Sequence, residues 1–278
     1  MNDHLLLMLV LWGLYVSDSV WWTADHTVIV TGERVGRFRA HRGPALPVRD
    51  EAGFFAPRLV PRFEYSFEVK LRVLAGADAD IPAIRQRILR ALALARPLCR
   101  LGEALWLHLF VAAPVSIAMF GIDRTWIPLL GTLIVALATI LLAYRSSWRQ
   151  LHAGSESGLW SELAIMALSP PGAIRAADRL TRRALQDVNP IRALRAATSD
   201  EEFCRIARWL YYDPEHPSSR PEIDQLLETD GPGALFREPP RLAPGMAGYC
   251  PRCHEQLLRD WGDCPDCPGV RLIPVAEP

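Results

Sequence analysis

Two stretches of the chain carry apolar residues on every side, whereas elsewhere apolar residues recur at helical or strand spacing. Residues 104–122, ALWLHLFVAAPVSIAMFGI, and 126–144, WIPLLGTLIVALATILLAY, contain no Asp, Glu, Lys or Arg. Neither shows the polar stripe of a half-buried helix in a soluble core. At about 1.5 Å per residue, each is long enough for a hydrocarbon layer about 30 Å thick. Only Asp123, Arg124 and Thr125 lie between them, which predicts a tight transmembrane hairpin. Pro114 is expected to kink the first span, and Pro128 falls in the first turn of the second, where its missing N–H costs little. Trp126 and Tyr144 bracket the second span as interfacial aromatics do. Near the N-terminus, LLLMLVLWGLYV lacks both a basic start and a small-residue cleavage site, so residues 1–22 read as an uncleaved membrane anchor.

Residues 23–75 read as a small β module. β-Branched residues flank Thr31-Gly32-Glu33, and Phe63, Tyr65, Phe67, Val69, Leu71 and Val73 alternate along one face. Over 76–103, Ile84, Ile88, Leu92 and Ala95 recur at helical spacing among Arg85, Arg87, Arg90, Arg96 and Arg100. This pattern predicts an amphipathic interfacial helix leading into the 104–145 hairpin, with a break or kink at Pro97. Residues 146–230 read as helical. Gly158 to Leu168 is apolar enough to lie against a bilayer or pack beside the hairpin, and Ser169 is a candidate N-cap before Pro170. Ala173, Ala176, Ala177, Leu180, Ala184 and Leu185 form a stripe, and Asn189-Pro190 opens another helix. Ser199 and Glu202 have capping-box spacing before Phe203, Ile206, Ala207, Leu210 and Tyr211. Residues 231–248, rich in Gly and Pro, read as a linker or an irregular strap.

Charge changes the picture by its placement. The formal net charge is +0, so no global field draws the protein onto nucleic acid. Lys70 is the sole lysine, and such arginine usage suits a GC-rich bacterial genome. Arginine crowds residues 33–103 and follows the second span at Arg145 and Arg149, while no Arg or Lys precedes Arg34. The positive-inside rule then places the N-terminus outside the cytoplasmic (inner) membrane, with residues 23–103 and the C-terminal part in the cytosol.

Six cysteines complete the inventory. Cys250, Cys253, Cys264 and Cys267 form C-x2-C-x10-C-x2-C, while Cys99 and Cys204 stand apart as small apolar filler. Two residues between thiolates let a tight turn aim both sulfurs at one ion, and two such turns supply a closed tetrahedral set. Pro251 and Pro265 pre-set those turns, and Leu257, Leu258 and Trp261 are expected to cap the site. Reduced thiols agree with a cytosolic placement. Structural zinc is the first reading of this set, with rubredoxin-like iron and reversible dithiol chemistry as alternatives.

Residues 249–274 resemble a C-terminal zinc ribbon, whose knuckles commonly read C-P-x-C-G. The resemblance covers about 20 residues and implies Zn2+ as a structural ion held by Cys250, Cys253, Cys264 and Cys267. His254 stands where the first knuckle usually has Gly, and Pro268 displaces the second Gly to position 269.

The resulting fold class is a mainly α membrane protein. It comprises an N-terminal anchor helix, a small cytosolic β module, a transmembrane helical hairpin, a cytosolic helical region and a C-terminal zinc ribbon. No H-E-x-x-H, P-loop or G-x-G-x-x-G motif is present, and GSESG at 154–158 has Glu156 where a nucleophile elbow needs Ser. The sequence therefore points away from an enzyme and towards a membrane-anchored adaptor or scaffold that docks a protein partner and contacts membrane lipid. The alternative is a subunit of a membrane transport or envelope-biogenesis complex, with His108 and Asp18 as the polar groups in or beside the spans. Arg252, Arg259 and Arg271 are balanced by Glu255, Asp260, Asp263 and Asp266, so no nucleic acid partner is expected.

Overall fold

The computed structural model describes residues 10, 12–13, 15, 21–24, 27–32, 38–42, 46–49, 52–55, 65–70, 80–152, 156–185, 187–213, 220–229 and 232–274. Asp18 and most of the expected anchor lie outside this set. Val10, Trp12, Gly13 and Tyr15 are helical. Tyr15 is buried, with its ring centroid 5.1 Å from that of Phe110, so this segment packs on the hairpin.

The hairpin starts earlier and turns more sharply than the sequence predicts. Helix α1 (Ile81–Leu107) continues through a π-helical turn, His108–Ala112, into α2 (Ala113–Phe120). Pro97 lies inside α1 and does not end it. Pro114 has no N–H to donate and its ring crowds the carbonyl of Phe110, one turn back. The wider π turn ending at Ala112 accommodates that loss, so the expected kink takes the form of a local widening. Reversal occurs at Gly121, whose φ of 76° suits glycine. Asp123, Arg124 and Thr125, expected as the loop, instead form the first turn of α3 (Ile122–Leu151). Thr125 Oγ1 donates to the Gly121 carbonyl at 2.8 Å, which fastens the turn. Both Ile81–Phe120 and Ile122–Leu151 are long and apolar enough to cross a membrane.

The helices beyond the hairpin are α4 (Leu159–Leu168), α5 (Pro170–Ala173), α6 (Ala176–Leu185), α7 (Pro190–Ala197), α8 (Asp200–Tyr211), α9 (Arg220–Thr229) and α10 (Gly233–Arg237). The Ser169 hydroxyl accepts from the Gly172 N–H at 3.2 Å, as a cap would, but the expected single helix divides into α5 and α6. Asn189 caps α7 by accepting from the Ile191 N–H at 3.0 Å, and Ser199 caps α8 by accepting from Glu202 N–H at 3.3 Å. The stripe of Ala173, Ala176, Ala177, Leu180, Ala184 and Leu185 is buried, as are Phe203, Ile206, Ala207 and Leu210. Packed against α6 and α7 is the first half of α1. Ile84, Ile88, Leu92 and Ala95 are buried there, so the stripe expected at the bilayer surface faces protein instead. Arg85, Arg87 and Arg90 line its rim, with Arg87 paired to Asp187 at 2.7 Å.

The β module forms two three-stranded sheets. Strands β1 (Trp21–Ala24), β5 (Ala52–Phe55) and β4 (Leu46–Arg49) make one; β3 (Arg39–Arg42), β2 (Thr27–Gly32) and β6 (Tyr65–Lys70) make the other. β2 pairs antiparallel with both neighbours, through Thr31↔Arg39 and Thr31↔Ser66. Val28, Val30 and Phe38 are buried, and β6 lies against α6, which joins this sheet to the helical core. Phe63, Leu71 and Val73 lie outside the described residues.

Candidate metal centre

Each knuckle is the loop of a short hairpin. β7 (Gly248–Tyr249) pairs with β8 (Gln256–Leu257), enclosing Cys250 and Cys253. β9 (Asp263–Cys264) pairs with β10 (Cys267–Arg271), and Cys264 faces Cys267 across Pro265-Asp266. The last strand, β11 (Ile273–Pro274), returns to β7, so the second knuckle is tied to the first by main-chain pairing. Gly248 is needed for this closure: a Cβ there would lie 2.8 Å from the Arg259 carbonyl oxygen. His254 adopts φ of 62°, which explains why ribbons favour Gly at that position, and its N–H donates to the Cys250 carbonyl at 2.9 Å. Gly269, with φ of 75°, fills the corresponding role one residue later in the second knuckle.

These turns bring the Sγ atoms of Cys250, Cys253, Cys264 and Cys267 within 4.8 Å of one another. Cys253 Sγ and Cys264 Sγ are 3.7 Å apart, far beyond a disulfide bond and close to the edge of a tetrahedron with metal–sulfur bonds of about 2.3 Å. Burial alone would raise the Cys250 thiol, but N–H groups of Cys253 and Arg252 outweigh it and hold that thiol below its ordinary value. Burial, then hydrogen bonding and charge from Cys250, pushes Cys253 up to about 11, and burial likewise raises Cys267. Four sulfurs this close could all be anionic only with a cation between them, and the donor set fits a metal ion. His254 lies outside the set; burial lowers its pKa, and its ring meets Tyr249 edge-on at 6.1 Å.

The expected cap is only partly right. Leu257 packs on the centre, but Leu258 and Trp261 are 79% and 70% exposed. Val270 and Leu272 cover the site from within, and Trp209 and Tyr212 cover it from the end of α8. Arg252, the third residue of the first knuckle, makes the attachment firm. Its Nε donates to the Trp209 carbonyl at 3.2 Å, its guanidinium lies 4.5 Å from the Trp209 ring centroid, and it pairs with Asp213 at 3.2 Å. Both charged side chains are buried. The Trp209 carbonyl belongs to the last turn of α8, where main-chain acceptors lack helical donors and the dipole favours a cation. Asp213 is the last described residue before the next helix, and it serves this latch. Arg252, Trp209 and Asp213 form a contact that sequence reasoning missed.

Residues 232–248 are strapped down as well. They open as α10, with Phe236 buried, and Gln256 clasps them: Nε2 donates to the Arg241 carbonyl and Oε1 accepts from the Ala243 N–H, both at 2.7 Å. His108, at the start of the π turn, meets the Leu129 carbonyl and Thr132 Oγ1, each at 3.3 Å across the hairpin. Those contacts give His108 a task in holding the two helices together.

Comparison with protein-family models, curated proteins and solved structures finds no match to this chain.

Proposed function

We propose that the protein is a non-enzymatic adaptor of the cytoplasmic membrane. Its hairpin spans the bilayer, and its helical body holds a zinc ribbon rigidly on the cytosolic side for docking a protein partner. The observation that carries this reading is the pairing of a closed four-thiolate set with a buried latch to α8. Four thiolates leave a tetrahedral ion no open position for substrate, so the ion holds shape. The latch turns that shape into a fixed surface, with Leu258 and Trp261 presented outward between β8 and β9.

The positive-inside rule supports the orientation, since Arg145 and Arg149 stand at the cytosolic end of α3. Zinc is the ion favoured by all-sulfur ligation in a reducing compartment. A transport role for the spans has less support, because the His108 contacts above lie within the hairpin itself. The test is affinity capture of the solubilised full-length protein. A stoichiometric partner retained by the native chain and lost with Cys250→Ser and with Leu258→Ala/Trp261→Ala supports the reading. A partner-free monomer, or a partner indifferent to both changes, overturns it.

A further inference from the structure

We infer that α4, and not the first half of α1, is the membrane-surface helix of this protein, and that it seats on anionic phospholipid headgroups. The inference rests on the membrane-spanning reading of the hairpin. The apolar stripe of α1 is covered by α6 and α7. α4 divides differently. Leu159, Glu162 and Met166 turn inward, where the Glu162 carboxylate accepts from Arg183 Nη2 at 2.7 Å. Trp160, Ile165 and Leu168 turn outward, and Leu168 is 86% exposed.

Position decides what this outward face meets. A Cβ on Gly158, just before α4, would lie 3.9 Å from the Trp148 ring, and one on Gly102 of α1 would run into the carbonyl of Ile174, soon after α4. Gly102 just precedes the first apolar run and Trp148 just follows the second. Both ends of the segment are thus held at the level where the hairpin passes from apolar to charged. From Trp126 to Arg145 the helix rises about 28 Å, close to a hydrocarbon thickness of about 30 Å. Arg145 sits over the Trp160 ring at 5.5 Å. Arg149 donates to Glu156 at 2.6 Å, and Glu156 also accepts from Trp160 Nε1 at 3.2 Å. A tryptophan with Arg145 over its ring and its polar edge on the Arg149-paired Glu156, at the end of the apolar α3, has the chemistry of an interface anchor. Continuity with the exposed apolar sides of α3, with Arg145 over Trp160 and Arg149 held beside it by Glu156, favours an anionic lipid surface as the occupant.

The test places a spin label at Leu168→Cys in full-length, zinc-loaded protein lacking Cys99 and Cys204. The protein is reconstituted in phosphatidylcholine vesicles with and without phosphatidylglycerol. Leu142→Cys serves as the hairpin reference and Glu228→Cys as the aqueous one. The ratio of collisions with oxygen to collisions with a water-soluble nickel chelate reads depth. Labels at 142 and 168 should favour oxygen and 228 nickel. Phosphatidylglycerol should shift 168 further towards oxygen, and Arg145→Gln/Arg149→Gln should remove that shift. Oxygen preference at 142 with nickel preference at 168 overturns the inference and leaves the hairpin reading intact. Nickel preference at 142 overturns both. A label at 168 shielded from both reagents means that protein covers the face, and indifference to phosphatidylglycerol or to the arginine changes removes headgroup recognition; each overturns the proposal.

Discussion

The hairpin and the helical body are both rich in apolar residues, yet they dispose of them in opposite ways. In the most apolar 18-residue windows of Ile81–Phe120 and Ile122–Leu151, only 17% and 6% of residues are buried. In α7, by contrast, Ile191, Ala193, Leu194, Ala196 and Ala197 are all buried, and even Arg195 is enclosed, its Nη1 donating to Asp200 at 2.8 Å. A stripe finds a partner of matching shape; a helix apolar all round leaves most of its surface uncovered by the described residues, as a membrane span would. The ribbon solves the problem a third way. Too small to bury much surface, it draws four sulfurs within metal-binding reach of one another and leans on α8.

The largest predicted effect separates the ribbon from the body. Structural zinc in such folds contributes an apparent binding free energy of about 10–16 kcal/mol at neutral pH. Chelation, or Cys264→Ser, should abolish stoichiometric metal content and open residues 248–274 to hydrogen exchange. Helices α6–α8, with their own core, should stay protected; joint loss of protection would show that the two regions are one folding unit. Next comes the latch. Arg252→Ala leaves Asp213 buried without this cation, at a cost of about 3–5 kcal/mol, and should expose Trp209 in fluorescence quenching while metal content is kept. The hairpin is tested by Ile134→Asp, which places a charge on a face 57% exposed. It should disfavour insertion by about 2.5–3.5 kcal/mol and lower the membrane-extractable fraction. Ile191→Asp, in the body, should instead lower the melting temperature of membrane-inserted protein.

Much of this division is legible along the chain. The uncharged runs mark the bare helices, Asn189 and Ser199 mark the starts of α7 and α8, and the paired cysteines mark the metal set. Spacing alone suffices for these because each depends on neighbours a few residues away. The rest depends on distant surfaces. The α1 stripe reads as interfacial because periodicity shows that a face is apolar without naming its partner, which is α6 and α7. Leu258 and Trp261 read as a cap because they lie between the knuckles, whereas the covering groups come from Trp209 and Tyr212, some forty residues earlier. Arg252 reads as one of several charges until Asp213 and the end of α8 are brought to it. Gly121 displaces the expected three-residue turn because positive φ lets one glycine reverse the chain.

The smallest prediction sharpens the comparison at a helix terminus that both the body and the ribbon depend on. Ser199 and Glu202 have the spacing of a capping box, in which each side chain satisfies the other's main-chain N–H. One arm is formed, as the Ser199 hydroxyl accepts from the Glu202 N–H at 3.3 Å. The Glu202 carboxylate is engaged by Arg205, with Nη2 at 2.7 Å and Nε at 3.1 Å. Removing the cap with Ser199→Ala should cost about 1 kcal/mol, whereas Arg205→Ala removes a half-exposed pair one helical turn apart and should cost no more than about 0.5 kcal/mol. Denaturant unfolding followed by helical circular dichroism reads both. Because α8 carries Trp209 at its far end, Ser199→Ala should also loosen the ribbon contact slightly, seen as faster hydrogen exchange at 250–253 with metal content unchanged. Equal losses from the two variants would mean that the Glu202 carboxylate, positioned by Arg205, supplies the second capping arm after all, and that α8 is held at its start more by the pair than by the hydroxyl.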